Sequence, residues 1–162
     1  VQPLRRQILV TGDVPDLPPS MPMTIDFTTG FYFHTEGHGL LMGMADPRET
    51  PGFKLDRTDD WLPLLTDAMA VRAPRILEMP IATGWAGLYE VTPDHNAIIG
   101  ECSNPSRFLY ATGFSGHGFL MGPAVGEVLR DLYLGRQPFV DVSALSVQRF
   151  SGAGLPPEAN IV

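Results

Sequence analysis

The stretch that most constrains this chain runs from Ala111 to Glu127, Ala-Thr-Gly-Phe-Ser-Gly-His-Gly-Phe-Leu-Met-Gly-Pro-Ala-Val-Gly-Glu. A β-rich run, Arg107-Phe108-Leu109-Tyr110-Ala111, feeds into it, and an apolar helical pattern (Val125, Val128, Leu129, Leu132, Tyr133) leaves it. Between them, Gly113, Gly116 and Gly118 open backbone angles closed to other residues and let the chain pass close to another surface. A strand, a glycine turn and a helix start gather unpaired N–H groups and a partial positive charge at one point. Such a corner suits an electron-rich ligand edge. The glycine spacing departs from the dinucleotide fingerprint, because the second and third glycines stand too close together. The turn therefore reads as a lid over a ligand, not as a phosphate cradle.

The surrounding chain reads as strands and tight turns, with 17 Gly and 16 Pro among its 162 residues. Strands are expected at 4–11, 23–27, 31–35 and 40–45, the last three as a meander around Gly30, Gly37 and Gly39. The proline-rich stretch 15–22 must be a loop. Asp59 or Asp60 would cap a helix carrying Trp61, Leu62, Leu65, Ala68, Met69 and Arg72, with Pro63 in its first turn and Pro74 ending it. A long strand bent at Gly84 is expected over 75–92, then short strands at 97–100 and 107–112, and a helix over about 118–134 closed by Gly135. The tail has strand-like pieces around Val140 and Val147 before a Gly/Pro-rich end. The fold class expected is α+β: an antiparallel or mixed sheet with one flanking helix, plus the C-terminal strand–glycine turn–helix.

Composition narrows the partners. Apolar residues make up 44% and charged residues 18%, as in a cored globular protein. A net charge of −7 argues against nucleic acid or an anionic membrane as the main partner. No run of about 18 apolar residues spans a bilayer. The single cysteine, Cys102, cannot form an internal disulfide, so a reducing, cytoplasmic setting is expected. The start, Val1-Gln2-Pro3-Leu4-Arg5-Arg6, has no initiator Met and no signal-peptide layout, which suggests a chain that begins within something longer.

Four segments, in order, resemble the D-amino-acid oxidase-like family of FAD-dependent oxidoreductases, nearest the branch with sarcosine oxidase β-subunits and proline dehydrogenases. They are Arg5–Val10; Gly30-Phe31-Tyr32-Phe33 with Gly39–Gly43; Gly84-Trp85-Ala86-Gly87-Leu88-Tyr89-Glu90-Val91-Thr92-Pro93-Asp94-His95-Asn96-Ala97-Ile98-Ile99-Gly100; and Gly113–Glu127. The resemblance implies two interleaved parts, a Rossmann-like FAD domain and a substrate domain with a large sheet. The family's glycine fingerprint is absent from this sequence, so it resembles a C-terminal portion. Residues 1–90 would be substrate-domain sheet, 91–140 the return into the FAD domain, and 141–162 a tail. A missing N-terminal FAD-binding half or a partner subunit is implied. The isolated chain is then expected to be inactive, to self-associate through uncovered apolar surface, and not to hold FAD alone.

The implied reaction is oxidation of a C–N bond in a secondary amine or amino acid of sarcosine or proline type, by hydride transfer to flavin. The resemblance places Gly87, Pro93, Asp94, Gly113, Phe114, Ser115, Gly116, His117, Gly118, Phe119 and Leu120 at the cofactor. Tyr32, His34 and Tyr89 are the candidates for facing substrate, and His117 and Tyr89 the catalytic candidates. Each also has a plainer reading: a tight turn with no ligand, a structural histidine, or a half-buried strand aromatic. Gly87 stands where those relatives carry a flavin-linking cysteine, so FAD would be held non-covalently. Leu120 stands where a lysine is implied, and leucine cannot hold a carboxylate. Trp85 reads as packing. No metal is expected, since His34-x3-His38 gains no third ligand at convincing spacing. Ser115 is not a nucleophile elbow, because its second flanking glycine comes one residue early. The pairs Asp59/Asp60 and Asp13/Asp16 read as caps and solvated turns. The alternative to an enzyme part is a non-catalytic binding or subunit-interaction module.

Overall fold

A computed structural model describes residues 1–18, 21–152 and 155–159. Parts of the proline loop and of the Gly/Pro-rich end therefore lie outside the described residues. The chain divides into two units, one spanning Leu4–Leu88 and the other Tyr89 onward together with Val1–Pro3. Among the described residues the elements are β1 (Gln2–Thr11), β2 (Thr24–Asp26), β3 (Phe31–Glu36), β4 (Gly39–Gly43), α1 (Leu62–Arg72), β5 (Ile81–Val91), β6 (Ile98–Glu101), β7 (Leu109–Thr112) and α2 (Gly118–Tyr133). The architecture is α+β with antiparallel pairings, as the strand and turn pattern predicts. Among the described residues no helix is long and apolar enough to cross a membrane.

In the first unit the sheet order is β2-β3-β4-β1-β5. Strand alternation sorts its residues onto two faces. Leu9, Phe31, Leu40 and Met42 pack with Trp61, Leu65, Ala68 and Met69 of the α1 region, and Phe33 lies against them. The register then puts Tyr32 opposite Gly43 and Gly43 opposite Ile8, while His34 faces Leu41 and Leu41 faces Val10. These residues line the other face. Gly43 makes room there: a Cβ on it would lie 2.6 Å from Tyr32 Cζ. Gly43→Ala should therefore expel the Tyr32 ring and cost about 1–3 kcal/mol, read as a lower urea midpoint with an unchanged slope.

Two expectations need correction in this region. Neither Asp59 nor Asp60 caps α1; the N-cap is Trp61, with no side-chain cap. Trp61 is 1% exposed, so core packing sets the helix start, and the Asp59 carboxylate pairs with Arg57 instead. The long strand begins at Ile81, not at residue 75, because Pro74–Glu78 forms a 3-10 turn that carries Ile76 into the core.

In the second unit β6 and β7 form an antiparallel pair, and α2 packs beside them through Val125, Val128, Leu129 and Leu132. Tyr133, expected on that apolar face, is 65% exposed, with the Arg107 guanidinium 5.4 Å from its ring centre. Strand β7 begins at Leu109, later than residue 107, because Arg107 takes a left-handed turn conformation, φ 63°. Gly135 ends α2 as expected, at φ +66°: its N–H reaches Leu132 O and that of Arg136 reaches Asp131 O. The tail carries no strand around Val147; it forms 3-10 turns at Ser143–Leu145 and Val147–Ser151. Asp141 accepts the Ser143 N–H and Ser146 that of Gln148, local bonds that compete with extended structure.

Candidate functional site

The glycine turn joins β7 to α2, and the end of β5 holds it from below. Gly113 sits at φ +74° and Gly116 at φ +105°, both conformations that side chains resist. A Cβ on Gly113 would collide with the Thr92 methyl, and one on Gly116 would lie 2.5 Å from Tyr89 Cε2. The Ser115 N–H donates to Glu90 O at 3.2 Å, and the Thr112 hydroxyl donates to the Glu90 carboxylate. Three anchors, Tyr89, Glu90 and Thr92, thus fix the turn. Glycine is required twice because ring and methyl occupy the space a side chain would take.

Past the turn, α2 starts at His117 with no side-chain cap and no acidic residue in its first turn. Its leading N–H groups and the positive end of its dipole are left for an external acceptor. Phe119 is 95% and Leu120 82% exposed, so the first turn stands clear of the unit's own core. Pro123 within α2 removes one more backbone donor.

The other expected site residues separate clearly. Tyr89, Pro93, Asp94 and Gly113–Leu120 come together in the second unit. Phe114 packs into its core and Ser115 is fully buried, so both serve the turn's shape. His117 is half-buried, and its ring has no hydrogen-bond partner among the described residues. Tyr32, His34 and Gly87 belong to the first unit. A Cβ on Gly87 would meet nothing within 4 Å, so no contact dictates glycine there. His34 Nδ1 lies 2.8 Å from Thr35 O. A carbonyl only accepts, so Nδ1 carries the proton and Nε2 of the neutral ring is left as an acceptor.

Asp94 is committed to the protein. Its carboxylate takes Arg149 Nε at 2.7 Å and Nη2 at 3.0 Å, plus the Asn96 N–H at 3.1 Å. The Arg149 hydrogen bonds hold the Asp94 pKa down from 3.8 to about 2, against the opposing effect of burial, with Asn96, the Arg149 charge and Thr92 helping. A folded pKa below the unfolded one means stability that is present above pH 3.8 and drains away as pH falls through about 2. The loss expected is roughly 2 kcal/mol; acid-titrated urea melts should show it, and Asp94→Asn should flatten that part of the curve. Sequence reading missed Arg149, and also the roles of Glu90, Thr92 and Thr112. The available signal was a turn carboxylate, Asp94, in need of a cation, with Ser146-x-Gln148-Arg149 as a capped turn able to deliver one.

The model of the FAD-dependent oxidoreductase family, DAO, matches residues 1–132. The chain belongs to this family. It is 31% identical over 172 residues to the FAD-dependent oxidoreductase domain-containing protein 1 of Xenopus laevis, with 100% of this chain and 34% of that protein covered. It is 29% identical over 159 residues to the 4-methylaminobutanoate oxidase (formaldehyde-forming) of Paenarthrobacter nicotinovorans, covering 91% of this chain and 19% of that one. Among solved structures, L-proline dehydrogenase from P. horikoshii superposes with TM-score 0.83 at 29% identity, covering 95% of this chain and 41% of that one. The chain thus spans between a fifth and two-fifths of the length of these relatives.

FAD is the cofactor expected of the family. The α2 start offers uncapped N–H groups with no first-turn acid beside them, an arrangement that favours an electron-rich ligand edge.

Proposed function

We propose that this chain supplies the substrate-facing sheet and the flavin-edge turn of an FAD-dependent oxidoreductase that acts on a secondary amine or amino acid of sarcosine or proline type. The reading rests above all on the Gly113–Gly118 turn, clamped by Tyr89–Thr92 beneath an uncapped helix start. It assigns the unit Leu4–Leu88 to substrate binding and the unit from Tyr89 to the return into the FAD domain. The family and relatives named above support it.

When bound, FAD supplies the two-electron acceptor for the carbon beside the substrate nitrogen. The backbone N–H groups of Gly116 and Gly118 and the α2 dipole favour negative charge on the flavin edge without reorganising, the His117 N–H being donated to Phe114 O. Tyr89, wedged against Gly116, presents its phenol from a fixed position. The His117 ring, with no hydrogen-bond partner among the described residues, is available to that edge or to substrate. On the sheet face, Tyr32 and the His34 Nε2 acceptor orient the amine, and Ile8, Val10 and Leu41 give them an apolar setting. Leu120 cannot bind a carboxylate, so a cation elsewhere in the whole protein does so. With glycine at position 87, no thiol links flavin there and FAD is held non-covalently.

The test is flavin content. The full-length protein should purify yellow, or become so with added FAD, and acid precipitation should leave the flavin in the supernatant. A colourless protein that cannot be reconstituted would sink the proposal. Flavin that stays with the pellet would overturn the non-covalent assignment.

A further inference from the structure

The segment after α2 ends in a guanidinium that reaches back beneath the glycine turn. The Arg149 side chain is 6% exposed and makes more bonds than an ion pair needs. Besides Asp94, it donates through Nη2 to Asn96 O at 2.8 Å and through Nη1 to Leu145 O at 2.9 Å. The guanidinium carbon lies 4.2 Å from the centre of the Phe150 ring. Asp94 in turn meets Thr92, which is itself 2% exposed. The Thr92 hydroxyl lies 2.9 Å from Asn96 O and 3.2 Å from Asp94 Oδ1, with a single proton to share between them.

Those two acceptors fix the rotamer of a β-branched side chain, and the hydroxyl direction dictates the methyl direction. The Thr92 methyl points at Gly113 and fills the space where a Cβ would be. Gly113 opens the turn, and two residues later the Ser115 N–H is bonded to Glu90 O.

We propose that Arg149 is a positioning residue for the glycine turn, acting through Asp94 and the Thr92 rotamer on Gly113. Placing that turn at a flavin rests on the function proposed above; the tether itself does not. A C-terminal segment distant in sequence thereby sets the geometry of the uncapped start of α2. Merely stapling the tail would be a different role, and the two roles differ in what loosens when the pair is cut.

The experiment is amide hydrogen exchange, by NMR on the full chain, for Arg149→Met, Arg149→Lys, Thr92→Ser and Thr92→Val. Ser115 is the reporter and the α2 core amides at Val128 and Leu132 are the internal reference. With Arg149→Met, Ser115 should exchange about ten-fold faster than in the parent while the reference amides keep their rates. Arg149→Lys should restore part of that protection. Thr92→Val keeps a methyl but frees the rotamer, and Thr92→Ser keeps the hydroxyl but removes the methyl; both should speed Ser115 with residues 143–151 still protected. If Arg149→Met exposes 143–151 and leaves Ser115 unchanged, the pair is only a staple and the proposal falls. Should Arg149→Met fail to fold, the Thr92 pair decides: unchanged Ser115 exchange in both overturns the tether. In the FAD-loaded full-length protein, the same variants should shift the flavin absorption band. Faster Ser115 exchange with an unmoved flavin spectrum would leave the tether standing and overturn only the placement of the turn at the flavin.

Discussion

Gly116→Ala should lower stability by roughly 2–5 kcal/mol and abolish flavin retention by the full-length protein. Two costs combine. The φ of +105° is one that an L side chain resists, at about 1–2 kcal/mol. The new methyl would also stand 2.5 Å from Tyr89 Cε2, an overpacking clash of about 1–3 kcal/mol that the ring can relieve only by leaving its place. Denaturant melts measure the first effect and FAD titration the second. Gly87→Ala is the control: its Cβ meets nothing, so the change should stay within about 0.5 kcal/mol. Equal effects at the two positions would show that Tyr89 does not shape the turn.

The second large effect falls on the ion pair. Cutting Asp94–Arg149 from one side should cost about 3–5 kcal/mol, because the surviving charge stays buried without its partner. The side chains are only 8% and 6% exposed, so water cannot take over. Surface pairs make the contrast: Arg48–Asp46, with Arg48 58% exposed, should yield less than about 1 kcal/mol on Arg48→Ala. Urea melts of Arg149→Met and Arg48→Ala side by side give the ratio. Similar losses in both would mean that the Asp94 site relaxes and lets solvent in.

Much of this fold was legible because it is written locally. Alternation and glycine punctuation place β3 and β4, Pro74 marks the end of α1, and Gly135 marks the end of α2. The glycine turn was equally readable, since positive φ at Gly113 and Gly116 leaves a direct trace in residue type. What escaped depends on contacts between distant residues. Core burial of Trp61 overrides the capping preference of Asp59. Ile76 is drawn inward and delays β5. Arg149 lies 55 residues from its partner Asp94, and no periodicity or spacing encodes that meeting. Asp94 illustrates the difference well: the resemblance places it at the cofactor, while the structure gives its carboxylate to Arg149, Asn96 and Thr92.

Those long-range contacts converge on one place. Tyr89, Glu90 and Thr92 lie under the glycine turn, Arg149 braces Thr92 through Asp94, and the start of α2 above them is left uncapped. Under the proposed function, a turn held this firmly at an uncapped helix start meets a ligand there. The claim that this is the flavin of an amine oxidoreductase is tested most directly by anaerobic reduction. Proline and an N-methyl amino acid are added separately to the FAD-loaded full-length protein under exclusion of oxygen, and the visible flavin band is followed. The account predicts that at least one of the two bleaches the band. A flavin that dithionite reduces but neither amine bleaches would contradict the account.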